Sequence, residues 1–432
     1  MNRVRIADLR PAQPCELAGR AVERRGARGV LLRDGSGEVE VELASSDATP
    51  APGALLRVEG RLRADGSFLA VRVTMCGGPA LRAGETAEWA DPAWVGRRAQ
   101  LRARDLLLRT LRGWFHAEGF LEVETPVLLA APGQEPHLLP FATAFHGRSG
   151  AAPRWLATSP EYAMKRLLAV GLERIFQLGR AFRDGRDESS PLHAPEFTLA
   201  EWYRAWEPLE AIGRDVAALL GAAAGALCGA TRIERGGRAC ELAAGVTWLP
   251  VEQAFRELAG VDLAPYLDGD DAAFVAGLAA GIAPPGGSAR ARADSAFFRL
   301  LIERVEPALG VGRPTLLCRY PARHAALSEL CADDPRVAGR FEAYVLGIEL
   351  CNAFQELRDP DEQERRLRAE QRERVRAGGP ELPIAEEFLR ALRSGLPPCS
   401  GVALGADRLQ LLLTGAARVD DVQPFPFSPP AS

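Results

Sequence analysis

The first 80 residues alternate apolar and polar positions with the two-residue period that predicts β-strands. Five short runs have this alternating or β-branched character, and Asp-Gly turns at 34–35 and 65–66 separate two predicted hairpins. Five strands in such a short stretch are typical of a small OB-like β-barrel. Such barrels often bind oligonucleotides, but a barrel that only packs against a neighbouring domain fits the pattern equally well.

The pattern changes after a linker. Residues 81–96 are rich in Gly, Pro and Ala, which predicts a linker between the barrel (1–80) and a second domain over 97–432. That second domain alternates long helices with strands, so we expect an α+β fold. Its first helix carries apolar residues at helical spacing and should end at Gly119. The strand that follows contains Pro126, which removes a ladder donor, so we expect this strand at an edge or an interface.

Composition excludes several classes of protein. Hydrophobic residues make up 47% and charged residues 25% of the chain, which excludes a disordered or collagen-like protein. No run approaches the roughly 20 uninterrupted apolar residues of a membrane span. The chain start lacks the apolar core of a signal peptide, so we expect a cytoplasmic protein without membrane contact. The eight cysteines form no CxxC pair and indicate neither a zinc site nor a disulfide framework. The net charge of -4 demands no polyanionic partner.

Residues 156–205 form the first segment with candidate chemistry. Ser159 followed by Pro160 is typical of a helix start. Two alternating runs joined by a polar loop then predict a long hairpin that presents Arg183, Glu201 and Tyr203 on one face. Small residues beside the arginine leave room for an anion to be bound in a bidentate manner. A surface hairpin with ordinary ion pairs is the alternative.

A second segment, GIELCNAFQEL, spans residues 347–357. A strict period of two puts Asn352, Phe354 and Glu356 on one face, and Glu349 joins them only if the strand bulges. Carboxylates among Ile, Leu and Phe are unfavourable unless a metal or an ammonium group pairs with them. A salt bridge to one of the many arginines is the alternative.

The third segment, CSGVALGADRLQLLLTG, spans residues 399–415. Gly401 and Gly405 bracket a short apolar strand that leads directly into a helix with Arg408 near its start. Glycine permits a close approach of the backbone to a ligand, and arginine can bind a phosphate or cover a flat ring.

Together and in this order, the segments resemble the catalytic domain of class II aminoacyl-tRNA synthetases. The runs FLEVETP, FR…HAPEF and GVALGADR resemble its first, second and third signature motifs. The runs SPEYAMKRLL and ELCNAFQEL resemble the lysine branch. Within that branch, EFTLAEWYR and LPPCSGVALGADR are most similar to the bacterial ligases that attach β-lysine to a lysine of elongation factor P. The resemblance implies an antiparallel sheet flanked by helices.

The resemblance also implies the site that binds the amino acid. Glu161, with Ser159 and Pro160 beside it, would hold the substrate α-ammonium. Tyr203, Glu356 and Glu201 would bind the distal ammonium. Asn352 and Phe354 would shape the pocket.

ATP and Mg²⁺ are the implied cofactors. Arg183 would bind the substrate carboxylate and the α-phosphate, while Phe197 would stack under adenine and Arg408 would cover its other face; the two arginines would be the catalytic residues. Further ATP contacts are implied for Glu188, His193, Leu350 and Gly405. Glu349 with Glu356 would hold Mg²⁺. The substrate carboxylate attacks phosphorus, so catalysis rests on positioning and charge neutralisation rather than on a protein nucleophile.

The second motif departs from the family pattern at three positions. Gly185 stands where the family has glutamate, so Glu188 is the expected substitute. Leu192 replaces an arginine and Ala194 an asparagine, and Arg186 is the expected replacement for a phosphate contact.

Three functions therefore stay open. We expect activation of lysine or (R)-β-lysine and transfer to a lysine of elongation factor P by a homodimer, because the first motif usually builds a two-fold interface. The barrel is also consistent with a lysyl-tRNA synthetase, with tRNA as a less favoured partner. The changes in the second motif are also consistent with an inactive regulatory paralogue.

Overall fold

The computed structural model describes residues 2–44, 49–80, 93–135, 138–148, 150–185 and 190–427. The predicted ATP contacts Glu188 and Arg186 lie outside the described residues. Chain contacts divide the protein into two compact units, Met1–Arg98 and Ala99–Ser432. The helix that leads into the second unit already begins at Ala93, inside the predicted linker.

The N-terminal unit is a closed barrel of five strands. The strands are β1 (Pro14–Arg25), β2 (Gly29–Arg33), β3 (Glu38–Glu42), β4 (Leu55–Leu62) and β5 (Phe68–Gly77). They close in the order β1-β2-β3-β5-β4, with β3 and β5 parallel and the other described pairs antiparallel. The Asp34 carboxylate accepts hydrogen bonds from three backbone N–H groups and closes the turn between β2 and β3. Phe68 is fully buried in the barrel core.

The second unit is an α+β domain. Its first half contains α1 (Ala93–Ala117), β6 (Leu121–Glu122), β7 (Leu128–Leu129), β8 (Ala142–Gly147), β9 (Gly150–Leu156), α2 (Glu161–Ala169), β10 (Arg174–Phe182), β11 (Glu196–Ala205), α3 (Leu209–Cys228), β12 (Arg232–Arg235), β13 (Arg238–Glu241) and β14 (Thr247–Pro250). Its second half contains α4 (Val251–Ala254), α5 (Ala264–Leu267), α6 (Asp271–Ala276), α7 (Ala289–Leu300), β15 (Thr315–Pro321), β16 (Val337–Val345), β17 (Ile348–Gln355), α8 (Pro360–Arg376), α9 (Glu386–Arg393), β18 (Cys399–Gly405), α10 (Ala406–Thr414) and α11 (Val419–Val422).

An eight-stranded sheet organises this unit in the order β14-β15-β16-β17-β18-β11-β10-β6. Only its outermost pairs, β14·β15 and β10·β6, are parallel among the described strands. The single strand predicted around Pro126 is interrupted in the structure. Strand β6 ends at Glu122 and lies at the edge of this sheet, whereas β7 begins at Leu128 and belongs to a separate three-stranded sheet. The predicted hairpin is confirmed as β10 and β11, which place Gln177 opposite Glu201 and Ala181 opposite Phe197.

Helices cover the back of this sheet and form the main core. Leu107, Leu111 and Phe115 of α1 are fully buried, as their spacing predicted, and Gly119 ends the segment with a positive φ of 78°. Helix α3 is long and apolar enough to cross a membrane. Half of its most apolar stretch is buried inside the protein, however, where Leu219 and Leu220 pack into the core. It is therefore a core helix, and the cytoplasmic location stays a prediction.

A separate helical layer, residues 251–309, has its own aromatic core. Phe255 and Tyr266 both stack on Phe297, with ring centroids 4.9 and 5.0 Å away. Two π-helical turns, Phe255–Ala259 and Leu301–Val305, complete the layer. This packing fixes the position of α7, one side of which reaches the candidate site.

Candidate active site

A cavity of about 1,110 Å³ lies over the front of the central sheet. It is lined by most of the predicted site residues, namely Ser159, Glu161, Arg183, His193, Phe197, Glu349, Leu350, Asn352, Phe354, Gly405 and Arg408. Pro160 lines a smaller adjoining cavity, and Glu201, Tyr203 and Glu356 are almost completely buried. The structure thus gathers these residues from segments that are up to 250 positions apart in the chain.

One row of side chains explains why strands distant in sequence build a common floor. Glu342, Asn352, Ala403, Glu201 and Gln177 lie directly opposite one another across β16, β17, β18, β11 and β10. Opposed residues in neighbouring strands point to the same face of a sheet. This row therefore places two carboxylates, Glu342 and Glu201, on one face of the sheet, with the amide of Asn352 and the small Ala403 between them. Gln177 ends the row beside Glu201.

Beneath the cavity floor, a buried lysine joins two of the predicted substrate carboxylates. The Lys165 Nζ atom lies 2.6 Å from Glu161 Oε1 and 2.5 Å from Glu356 Oε2. Lys165 and Glu161 are four residues apart on α2, the spacing that brings side chains together on a helix. Burial alone lowers the pKa of Lys165, but the two carboxylates outweigh it and raise the pKa above its usual range. The lysine is therefore charged in this site.

A third carboxylate, Glu201, completes the group. It accepts hydrogen bonds from the Tyr203 hydroxyl at 2.7 Å and from the Ser159 hydroxyl at 2.8 Å. Burial, reinforced by the nearby charge of Glu161, raises the pKa of Glu201 to about 8. Burial likewise raises the pKa of Glu356, and Lys165 only partly opposes this. Three carboxylates and one ammonium leave two negative charges when all four groups are ionised.

Gly401 is the residue that lets this group assemble. A Cβ atom at this position would lie 2.2 Å from a Tyr203 ring carbon and 2.6 Å from Glu356 Oε1. Such separations are far below van der Waals contact, so only glycine lets the phenol and the carboxylate lie against β18.

Arg183, Phe197 and Arg408 mark the other end of the cavity. The Arg183 guanidinium carbon lies 5.0 Å from the centroid of the Phe197 ring. Arg408 donates to the Glu349 carboxylate at 3.1 Å and to the Leu192 carbonyl at 3.1 Å, and it also contacts His193. Adjacent to Arg408, Asp407 accepts a hydrogen bond of 2.6 Å from the backbone N–H of Thr198, next to Phe197. This bond fixes α10 against β11 and thereby holds Arg408 near Phe197.

The bulge that Glu349 requires is present. The pairing of β16 with β17 shifts by one residue, so that Ala343 lies opposite Cys351 but Tyr344 lies opposite Glu349. The shift brings the Glu349 side chain to the cavity, where burial raises its pKa while Arg408 opposes the rise.

The structure does not bring the two predicted metal ligands together. Glu349 and Glu356 are seven residues apart on an extended strand, roughly 20 Å at about 3.3 Å per residue. Glu356 is instead paired with Lys165, so it cannot share an ion with Glu349. The carboxylate close enough to influence Glu349 is Glu342, which the sequence interpretation missed.

The described residues contain no cluster of three or more His, Cys, Asp or Glu side chains able to hold a metal ion. Mg²⁺ commonly binds to one or two carboxylates plus substrate phosphates, and Glu342 with Glu349 suits that mode.

Arg340 is a second residue that the sequence interpretation missed. Its guanidinium donates to Glu342 at 2.6 Å, to the Asn352 side chain at 3.2 Å and to the His324 carbonyl at 2.8 Å. It therefore ties the cavity faces of β16 and β17 to the segment around His324. Alternation in β16 was the one available signal, because it places Arg340 and Glu342 on the same face.

Helix α7 closes the cavity from above. The residues of this helix that line the cavity are Arg290, Ala291, Asp294, Ser295 and Phe298, and Ser288 lines it just before the helix begins. Nothing in the Ala- and Gly-rich sequence around this helix indicated a site, because the face it presents depends on the packing of the helical layer.

Comparison with known proteins agrees with this geometry. The family model described as "tRNA synthetases class II (D, K and N)" matches residues 94–429. The chain belongs to the class II tRNA synthetase family. Among curated relatives, the elongation factor P--(R)-β-lysine ligase of Proteus mirabilis is 38% identical over 344 residues, covering 79% of this chain and 98% of the relative. The ligase of the same name from Yersinia pestis is 37% identical over 348 residues, covering 80% of this chain and 99% of the relative.

These relatives decide between the branches of the class II family. The resemblance expected from the motifs is confirmed, and the class II domain extends over all the segments that line the cavity. Ligases of this class use ATP and typically Mg²⁺. About a fifth of this chain lies outside the alignment with the ligases, although the ligases themselves are almost completely covered.

Proposed function

We propose that this class II enzyme activates lysine or (R)-β-lysine with ATP and transfers the aminoacyl group to a lysine of elongation factor P. The curated relatives named for this reaction align over nearly their whole length, which favours it over tRNA charging and over an inactive paralogue.

The buried charge of the amino-acid pocket carries the proposal. Glu161, Glu201 and Glu356 surround the single cation Lys165. Burial raises the pKa of Glu201 and of Glu356, so their negative charges develop fully only when a cationic substrate pairs with them. A buried charge without a partner is unfavourable by several kcal/mol. Lysine and β-lysine each carry two ammonium groups, so either substrate neutralises the pocket. A substrate with one ammonium group leaves a charge without a partner.

The nucleotide end of the cavity fits Mg-ATP. Arg408, Arg183 and Phe197 provide two cations and an aromatic face for phosphates and a flat base, and Gly405 keeps β18 open. Glu349 and Glu342, rather than Glu349 and Glu356, would hold Mg²⁺. When bound, Mg-ATP supplies the α-phosphorus that the substrate carboxylate attacks and the pyrophosphate that leaves.

The protein's own residues act by positioning and neutralisation. Glu161 and Glu201 orient the ammonium groups, so that the substrate carboxylate points toward Arg183. Arg183 then neutralises the charge that develops between carboxylate and phosphate, which is where a fixed cation accelerates the reaction most.

The N-terminal barrel supports the protein acceptor over tRNA. We take it to be OB-like on the basis of its closed five-strand order. Reading of splayed bases normally uses exposed aromatic platforms. Phe68 is the sole aromatic residue in positions 1–80, and it is fully buried.

A homodimer is part of the proposal. Leu101 and Leu106 of α1 and Leu121, Val127 and Leu128 of the first-motif segment are exposed apolar residues. A second copy of the chain would cover them, and sedimentation velocity at micromolar concentration tests this directly.

One experiment tests the whole proposal. Pyrophosphate–ATP exchange is measured with lysine and with (R)-β-lysine. Elongation factor P and lysine tRNA are then supplied as acceptors, and the transfer of each labelled amino acid to them is measured. We expect exchange and labelling of elongation factor P alone. Efficient charging of tRNA instead would establish the synthetase, and no exchange with any lysine analogue would establish the inactive paralogue.

A further inference from the structure

A second, smaller cavity of about 310 Å³ adjoins the active-site cavity. The two share Glu135, Thr158, Ser159 and Glu161, so a group that enters the smaller cavity reaches the larger one. The smaller cavity lies between the loop 126–135, the start of α2 and the start of α9.

The walls of the smaller cavity are largely apolar. Leu129, Ile384 and Phe388 contribute to them, and the Tyr162 ring stacks on Phe388 with centroids 4.5 Å apart. Such walls suit the methylene stem of a long side chain.

Two polar atoms of this cavity have no hydrogen-bond partner among the described residues. Glu135 Oε2 and the Tyr162 hydroxyl are both closed off from solvent and unpaired. Buried polar groups without partners are unfavourable, so a site that keeps two of them points to a missing donor.

Glu370, on α8, lines the larger cavity and lies close enough to Glu135 for their charges to interact. Within the described chain, no ion pair joins Glu135 or Glu370 to a basic side chain. Arg374, the nearby cation on α8, donates instead to the backbone carbonyls of Glu135 and Leu138. The space therefore has an excess of negative charge in addition to the amino-acid pocket.

We infer that the smaller cavity receives the side chain of the acceptor lysine, and that Glu135 and Glu370 hold its ammonium group and accept its proton. This inference rests on the proposed function and names its acceptor site. An apolar stem that ends in an ammonium matches both the walls and the unpaired atoms. The uncharged hydroxyl of a tRNA acceptor needs neither the apolar walls nor the unpaired polar atoms.

The transfer step then balances as follows. The acceptor ammonium gives one proton to a carboxylate of Glu135 or Glu370. The neutral amine attacks the acyl carbon of the aminoacyl adenylate, a C–N bond forms and the C–O bond to AMP breaks. The nitrogen loses its second proton to the departing phosphate oxygen or to water.

The proton affinities agree with this role. Four charged side chains influence Glu135: Glu161 from α2, Arg183 after β10, and Arg374 and Glu370 from α8. Burial raises the pKa of Glu135, and burial together with Glu135 raises the pKa of Glu370 to about 8. General bases work best when their pKa lies near the working pH.

The test separates adenylation from transfer in the full-length enzyme. Glu135→Gln keeps the shape of the side chain, and Tyr162→Phe removes a single hydroxyl. For each variant, pyrophosphate exchange, trapping of the adenylate by hydroxylamine and transfer to elongation factor P are measured between pH 6.5 and 9. The control, Glu364→Gln, removes an acid from α8 that lies outside both cavities.

We expect Glu135→Gln to lower transfer at pH 7 by at least about 10-fold more than it lowers exchange. Hydroxylamine, which is already neutral, should capture the adenylate of the variant as it does that of the wild type. The transfer defect should shrink as pH rises, since the acceptor then loses its proton to solvent.

Two results overturn the inference. If Glu135→Gln and Tyr162→Phe keep the wild-type ratio of transfer to exchange, the acceptor does not use this cavity and the proposed function stands. If the wild type shows no exchange with lysine or β-lysine, the proposed function and the acceptor site fail together.

Discussion

The ammonium group of Lys165 lies 2.5 Å from the carboxylate of Glu356, although 191 positions separate them in the chain. The ion pair ties α2 to the end of β17 beneath the active-site floor. Its two partners belong to different signature segments, so the amino-acid pocket forms only once both segments are folded against each other.

Arg183 should be needed for adenylation. Removing a cation that stabilises transition-state charge typically costs about 100-fold or more in rate, and we expect this loss of pyrophosphate exchange for Arg183→Ala. Arg180 lies on β10, three residues before Arg183, pairs with Glu196 and does not line the cavity. The control Arg180→Ala should therefore retain exchange, and equal losses in both variants would remove Arg183 from the site.

The pocket should reject norleucine, which matches lysine in shape but lacks the distal ammonium. Its binding leaves buried carboxylates without a cation, an unfavourable state by several kcal/mol, so exchange should fall at least about 100-fold. Glu356→Gln should reduce the difference in exchange rate between lysine and norleucine. Comparable exchange of norleucine and lysine by the wild type would contradict the pocket assignment.

Stability without substrate should fall as pH rises. The pKa of Glu201 is raised to about 8 from a usual value of 4.5, so the folded state holds a proton that the unfolded state releases. That contribution to stability is complete below about pH 4.5 and is lost as pH rises through about 8.

Urea unfolding between pH 5.5 and 8.5 measures this fall, and Glu201→Gln should make its slope shallower. Binding of lysine at pH 7 should release protons, detectable by calorimetry in buffers of different ionisation enthalpy. Binding without proton release would show that the carboxylates were already ionised before lysine bound.

Gly401→Ala should block the amino-acid pocket. The added Cβ meets the Tyr203 ring and Glu356, both held in place, so we expect a KM for lysine at least about 10-fold higher or a loss of about 1–3 kcal/mol in the free energy of unfolding. Gly225 is exposed in α3 with nothing near its Cβ position. Gly225→Ala is thus a matched control that should be neutral or stabilising.

The barrel should be dispensable for transfer to protein. The structure divides into compact units near residue 98, so a chain that begins near Asp91 should fold and still modify elongation factor P. Measurement of transfer to both acceptors by the full and the shortened chain checks this. If the full chain charges tRNA and the shortened one does not, the synthetase interpretation replaces the ligase.

Sequence pattern was sufficient for the hairpin of β10 and β11 and for the strand of the third motif. Alternation predicts the face of the sheet on which a side chain lies. Side chains on the same face of paired strands lie close together, so they can contribute to one site. The face of the strand on which Glu349 lies could not be predicted from the sequence. It depends on a bulge in the pairing with β16, and no local sequence pattern reveals that pairing.

Other parts of the site depend on contacts between distant segments. The mixed charge of residues 359–379 predicts a solvated helix, and Arg365 and Arg368 of α8 do form exposed ion pairs. Arg374, on the same helix, is 3% exposed, and Glu370 reaches the cavity. The helix looks uniformly polar in sequence, so only its packing against the loop before β8 distinguishes its two sides.

Lys165 is the only lysine in the chain, and its side chain is completely enclosed by two carboxylates. Aminoacyl adenylates acylate accessible amines indiscriminately, whereas guanidinium groups stay protonated and unreactive. Since Lys165 is the single lysine, the intermediate finds no accessible side-chain amine to acylate on this protein. Radioactive amino acid attached through a side-chain amine in an assay mixture can be attributed to the acceptor without separating the two proteins.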